Sequence, residues 1–277
     1  MLRRCFSLLS LICVFGAFST AMANNDRGPF LRKKSSVKIQ TWLFYGQTQF
    51  STLSNSTLGN GQFSIMSPGN RFEIEFFPGN NDLTDSIFTK VRFFADYEWV
   101  SFGTALNQSL NQLKFGLAAS WWVFGNQQRF KLAGTSWMAI RKSELNLFFG
   151  PTVQRFSELQ TSAQTNQIVS INHPLLVGLQ LGARACVPLS NMTCIDISGR
   201  AIFPVLITNV LINSMNYNNG ISYHWSAVLD HAFKTNFSIG AGVIGSLSRL
   251  DYVNKSDEEQ ITKVLIIAPT LSAQFRF

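Results

Sequence analysis

The chain has 277 residues, 23 Lys and Arg against 15 Asp and Glu, and only 14% charged residues, beside 25 Phe and 13% aromatics. Beyond the N-terminal leader no segment approaches 18 uninterrupted apolar residues, which excludes helical membrane spans. The basic excess is scattered except for LRKKSS at 31–36, and no nucleic-acid motif accompanies it.

The first 23 residues place Arg3 and Arg4 before an apolar run from Cys5 to Phe18, followed by Ala21-Met22-Ala23. This predicts a secretory signal peptide over 1–23, cleaved after Ala23. Without its two arginines the chain carries 21 basic and 15 acidic residues. Residues 24–36 read as a short basic lead and 37–277 as one domain. An exported, aromatic-rich chain without long apolar runs is either a soluble all-β fold or a barrel that turns alternate residues to lipid.

In chain order, period-two patterning predicts strands at 37–47, 61–66, 70–77, 87–102, 112–124, 128–141, 143–156, 173–187, 194–207, 220–230, 236–249 and 262–277. The second and third are joined by the turn signal SPGN. In LLVGLQLGARACV, Leu175, Val177, Leu179 and Leu181 share one face against Gly178, Gln180 and Arg184. Segments of about 11 to 15 residues exceed ordinary globular strands and suit tilted membrane-crossing ones. The fold class is therefore all-β, an antiparallel transmembrane β-barrel of about twelve strands. Ten is the alternative, because TLSNSTLGNG reads equally as loop or distorted strand. In the C-terminal half, long polar connections alternate with short ones, as external loops alternate with periplasmic turns.

The last segment, LIIAPTLSAQFRF, ends on Phe277 with Phe275 and further apolar residues at alternate upstream positions. It resembles the C-terminal targeting strand of Gram-negative outer-membrane β-barrel proteins. The resemblance implies an outer-membrane location, recognition of Phe275 and Phe277 by the barrel-assembly machinery, and closure of the barrel by pairing of the last strand with the first. Outer-membrane lipid and lipopolysaccharide are the partners it implies. Pro269 departs from the pattern because it lacks a backbone donor.

The face opposite the apolar one carries Lys38, Arg71, Lys90, Arg92, Lys114, Arg129, Lys131, Arg184 and Arg200, with Glu73, Glu75, Asp96, Glu98, Glu144 and Asp196 as partners. Buried charges need partners or water. This lining predicts either a wet, mildly cationic lumen or a cross-strand ion-pair plug. The first gives a narrow porin-like channel; the second gives a closed structural or adhesive barrel that displays its loops.

A third reading rests on His224 and Ser226 in SYHWS, two residues apart on the inward face. The arrangement is similar to that of outer-membrane lipid A deacylases, where a carboxylate on a neighbouring strand orients the histidine. The next strand here, TNFSIGAGVIGSLS, contains no acid. No metal-ligand spacing and no cofactor motif is present. The cysteines left after signal cleavage, Cys186 and Cys194, flank the turn in CVPLSNMTC. Direct opposition across that hairpin would also set Arg184 against Asp196, and predicts a structural disulfide in an oxidising compartment.

Overall fold

The computed structural model describes residues 36–54, 61–77, 91–105, 108–124, 129–133, 136–140, 143–161, 168–209, 216–234, 237–253 and 259–276. It contains fourteen strands and, among the described residues, no helix. They are β1 Ser36–Ser54, β2 Gly61–Phe77, β3 Val91–Ala105, β4 Gln108–Phe124, β5 Arg129–Ala133, β6 Ser136–Ile140, β7 Glu144–Phe156, β8 Glu158–Thr161, β9 Ile168–Asn172, β10 Pro174–Pro188, β11 Thr193–Asn209, β12 Asn216–Lys234, β13 Phe237–Val253 and β14 Glu259–Arg276.

Ten of these strands close an antiparallel barrel in the order β1, β14, β13, β12, β11, β10, β7, β4, β3, β2. The seam runs from Lys38 opposite Arg276 to Ser54 opposite Gln260. The end holding Ser36 and Arg276 is called proximal below and the other end distal.

Ten staves replace twelve for two reasons. SPGN is not a turn: β2 runs straight through Ser67, Pro68 and Gly69, each paired with β1. Pro68 faces outward and is exposed, while Gly69 leaves the space that the ring of Phe44 fills, where any Cβ would collide. Segment 128–141 is not a stave either. It divides into β5 and β6, a separate two-stranded sheet inserted between β4 and β7. A second insert, the β8–β9 hairpin, lies between β7 and β10 and packs against β1 and β2 on the far side of the distal mouth.

The cysteine hairpin is shifted by two residues from the expected register. Cys186 lies opposite Asp196, Cys194 opposite Pro188 and Arg184 opposite Ser198. A shift of two preserves which face each side chain takes. Cys186 and Cys194 therefore remain inward, buried and diagonal to each other, as free thiols.

Alternation sorts side chains to two environments. Leu43, Phe72, Phe93, Phe115, Leu147, Leu181, Phe203, Leu229, Ile239 and Leu271 project outward and are exposed. Inward neighbours such as Gln40, Glu73, Asp96, Lys114, Gln180, Arg200 and Gln274 are buried. A continuous exposed apolar belt around a polar interior inverts the arrangement of a soluble domain.

Candidate functional site

The interior is the candidate site, and it has two layers. Its proximal and middle part is built from ion pairs. Near the proximal end Lys38 Nζ lies 2.6 Å from Glu75 Oε2, and Arg92 pairs with Glu75 as well. Arg92 also reaches Glu144 at 3.3 Å and Asn146 Oδ1 at 3.2 Å.

One step deeper, Arg184 binds Asp196 at 2.7 Å, Glu73 at 2.9 Å and the amide oxygen of Gln40 at 3.0 Å. Its guanidinium thus ties β10 to β11, β1 and β2, which only a closed barrel brings together. The expected Arg184–Asp196 pair is made, across a diagonal instead of directly. Arg71 stacks over Trp42 with 4.9 Å from Cζ to the ring and lies 3.6 Å from Glu73.

At mid-barrel, Asp96 Oδ2 forms an ion pair with Lys114 Nζ at 2.7 Å and accepts from Arg200 at 2.8 Å, and Arg200 also donates to Gln180 Oε1 at 3.1 Å. The Lys114 and Asp96 side chains are both 0% exposed. A charge buried so completely is stable only with its partner in place, so these groups form a packed layer and not the wall of a wet passage.

Among the described residues the expected cationic excess is absent from this layer. Lys90 lies outside the described residues, and Arg129 and Lys131 stand on the β5–β6 hairpin, apart from the barrel wall. The remaining predicted cations, Lys38, Arg71, Arg92, Lys114, Arg184 and Arg200, face the six predicted acids Glu73, Glu75, Asp96, Glu98, Glu144 and Asp196. Asp230 of β12 is a further buried acid. Polar members missed from the sequence are Gln40, Asn146, Gln154 and Gln180. They are uncharged, and only closure of the barrel reveals that Gln40, Asn146 and Gln180 accept from Arg184, Arg92 and Arg200, while Gln154 donates to Ser248 Oγ at 3.1 Å.

His224 does have a carboxylate: Glu98 Oε1 stands 3.4 Å from its Nδ1. The acid comes from β3, five staves from β12 and so on the opposite wall. Ser226, however, hydrogen-bonds Ser198 Oγ at 2.7 Å, and His224 and Ser226 are 3% and 7% exposed. An acyl substrate has no approach to a hydroxyl facing a filled interior, so the two residues belong to the polar packing. No group of three or more His, Cys, Asp or Glu suited to a metal occurs among the described residues.

The distal layer is mainly apolar, with Thr48, Gln112, Ser248 and Thr262 buried beside its hydrophobic cluster. Phe44, Phe50, Val100, Phe102, Leu110, Leu176, Leu250, Val264 and Ile266 pack inward, and Ile171 of β9 joins them from the β8–β9 hairpin. Phe50 and Phe102 meet edge to face at 5.1 Å. The hairpin is fastened at its root: Ser157 Oγ contacts His173 Nδ1 at 3.2 Å and donates to the Asn111 carbonyl at 3.1 Å.

Cavities among the described residues include one of about 30 Å³ beside Gln40, Arg92 and Arg184 and one of about 10 Å³ beside Glu98 and His224. At about 10–15 Å³ per water, the first has room for two or three molecules and the second for at most one. Phe275 faces outward in a run of rings with Phe237 at 5.0 Å and Phe233 at 6.2 Å from Phe237; Phe277 lies outside the described residues. No known family model and no curated protein matches this chain.

Proposed function

We propose that this protein is an outer-membrane β-barrel that works as a closed scaffold, presenting the surface of its distal end, and not as a passage for solutes. The observation that carries the reading is the inversion of polarity: an exposed apolar belt outside and fully buried ion pairs inside. Such a belt suits acyl chains, and closure leaves no unpaired sheet edge within them. Outer-membrane lipid and lipopolysaccharide are its proposed surroundings, and the barrel-assembly machinery its proposed partner during insertion. The narrow porin-like alternative requires water where Lys114 and Asp96 are packed, and among the described residues its six predicted cations face six predicted acids and the buried Asp230, which leaves no cationic excess to favour anions.

Planar-bilayer recording of the refolded protein tests the reading, with insertion verified by a folded, heat-modifiable band. The expected result is a flat trace at both polarities. Steady conductance steps with anion preference would overturn the closed scaffold and establish the porin-like channel.

A further inference from the structure

The outward apolar pattern does not run the length of every strand. Along β1 the outward residues are Leu43 and Tyr45, then Gln47, Gln49 and Ser51 before Leu53 at the rim, while the inward residues change from Lys38 and Gln40 to Phe44 and Phe50, with the small polar Thr48 and Thr52 beside them. The pattern flips. The same exchange occurs on β3, where outward Tyr97 and Trp99 give way to Ser101 as inward Asp96 and Glu98 give way to Val100 and Phe102. It occurs on β13 between outward Leu247 and Arg249, and on β14 between Leu265 and Lys263. Strands β2 and β4 follow, with outward Gln62, Ser64, Ser109 and Asn111 and inward Leu110 at their distal ends.

These six strands are contiguous around the barrel. Six neighbouring strands turning over at one end describe a boundary between two solvents. Below it the wall is built for lipid; above it the wall has the ordinary arrangement of a water-soluble sheet, apolar within and polar without.

Charge placement marks the same line independently. Arg249 and Asp251 form an outward ion pair at 2.8 Å, with side chains 44% and 27% exposed. They and Lys263 lie beyond the flip, whereas the described outward side chains of the belt on these six strands include no Asp, Glu, Lys or Arg. Outward charges among acyl chains are costly, and the cost disappears at the headgroups.

We infer that the wall formed by β13, β14, β1, β2, β3 and β4 outruns the bilayer at the distal end, so that its outer amide and hydroxyl face meets the polar headgroup layer of the lipid while its inner apolar face closes around Ile171 of the β8–β9 hairpin. The inference rests on the membrane reading above and deepens it by naming which surface meets which part of the lipid. On β1 the projecting part is Gln47 to Ser54, eight residues. At about 3.3 Å per residue and a tilt of about 40°, it rises roughly 20 Å above the belt.

Single-cysteine variants separate this inference from its premise. Leu43→Cys and Ile74→Cys lie in the belt; Gln49→Cys and Ser64→Cys lie above it. All four positions face outward and none fills the interior, so folding is checked simply by heat-modifiable migration. Wild-type protein, whose Cys186 and Cys194 are buried, reports the background.

Each variant is refolded into phosphatidylethanolamine–phosphatidylglycerol vesicles, reacted with a membrane-impermeant maleimide, and in parallel labelled with bimane before addition of lipids brominated on the acyl chain. The expected result is at least tenfold faster maleimide reaction at residues 49 and 64 than at 43 and 74, with bromolipid quenching confined to 43 and 74. Slow reaction and strong quenching at all four positions would overturn the projecting wall and leave the membrane reading standing. Fast reaction without quenching at all four would overturn the membrane reading itself.

Discussion

Within one barrel wall, the proximal interior is held by charge and the distal interior by apolar contact, and the two respond differently to loss of a single side chain. Asp96 is satisfied by Lys114 and Arg200 together, so its removal strips Arg200 of its close carboxylate and leaves Lys114 with only Glu98 at 4.0 Å. Phe102 is one of a dozen buried apolar residues in its cluster, and its neighbours lose contact area without acquiring an unsatisfied group. Ion-paired packing fails at the level of the network; apolar packing fails in proportion to the volume removed.

The sharpest way to break this comparison is Asp96→Asn. It is expected to cost about 3–5 kcal/mol in the urea midpoint of the folded protein in detergent. Replacing Asp96 and Lys114 together by Leu and Met is expected to recover more than half of that loss, because fewer buried charges then lack a partner. A cost for Asp96→Asn below about 1 kcal/mol would place the middle layer in contact with water, outside the range for a buried pair.

In the apolar layer Phe102→Ala is expected to cost about 3 kcal/mol, whereas Phe102→Leu, which keeps most of the volume, costs under about 1.5 kcal/mol. Equal losses for the two variants would show that edge-to-face contact with Phe50, and not volume, governs this layer.

The smallest effect belongs to the hairpin between the layers and the proximal end. The thiols of Cys186 and Cys194 stand on the same inward face, diagonal across the β10–β11 hairpin, so in an oxidising compartment two thiol hydrogens and two electrons can pass to a disulfide-bearing oxidase and leave one S–S bond. The peptide spanning Ala185 to Ile195, recovered without reductant, is expected to be 2 Da lighter than its reduced form, and reduction to lower stability by about 2 kcal/mol, as for closing a loop of this size. Full alkylation before reduction would show that the two remain free thiols.

Much of the wall was legible from period-two alternation alone. Leu179 and Leu181 face outward and Gln180 and Arg184 inward as the pattern requires, because a side chain's face depends only on its parity. Register is harder. The β10–β11 pairing is set by contacts with β7 and β12 as well as by the turn, and a slip of two leaves every face unchanged, so the sequence pattern could not detect it.

Local signals misled at two places. Pro68 and Gly69 have turn chemistry, yet the exposed outward position of one and the closeness of Phe44 to the other keep both in β2. In 128–141 the alternation was real but belonged to the two arms of β5–β6. The carboxylate of Glu98 beside His224 escaped because a search of the adjacent strand cannot find a partner five staves away. Ring closure, and no local pattern, makes them neighbours.

Strand β7 has a position unlike any other stave: the β5–β6 insert precedes it and the β8–β9 insert follows it. Everywhere else along the wall consecutive strands join directly, so the chain comprises a four-stave meander, β1 to β4, and a five-stave meander, β10 to β14, with β7 standing singly between them. Each meander can zip by short-range pairing, but β7 must find both neighbours across longer closures, and the seam joins Lys38 to Arg276. Loop-closure entropy therefore concentrates at β7 and at the seam. In the language of masonry, the two meanders are arcs, β7 is the keystone of one joint, and the β1–β14 seam is the mortar of the other.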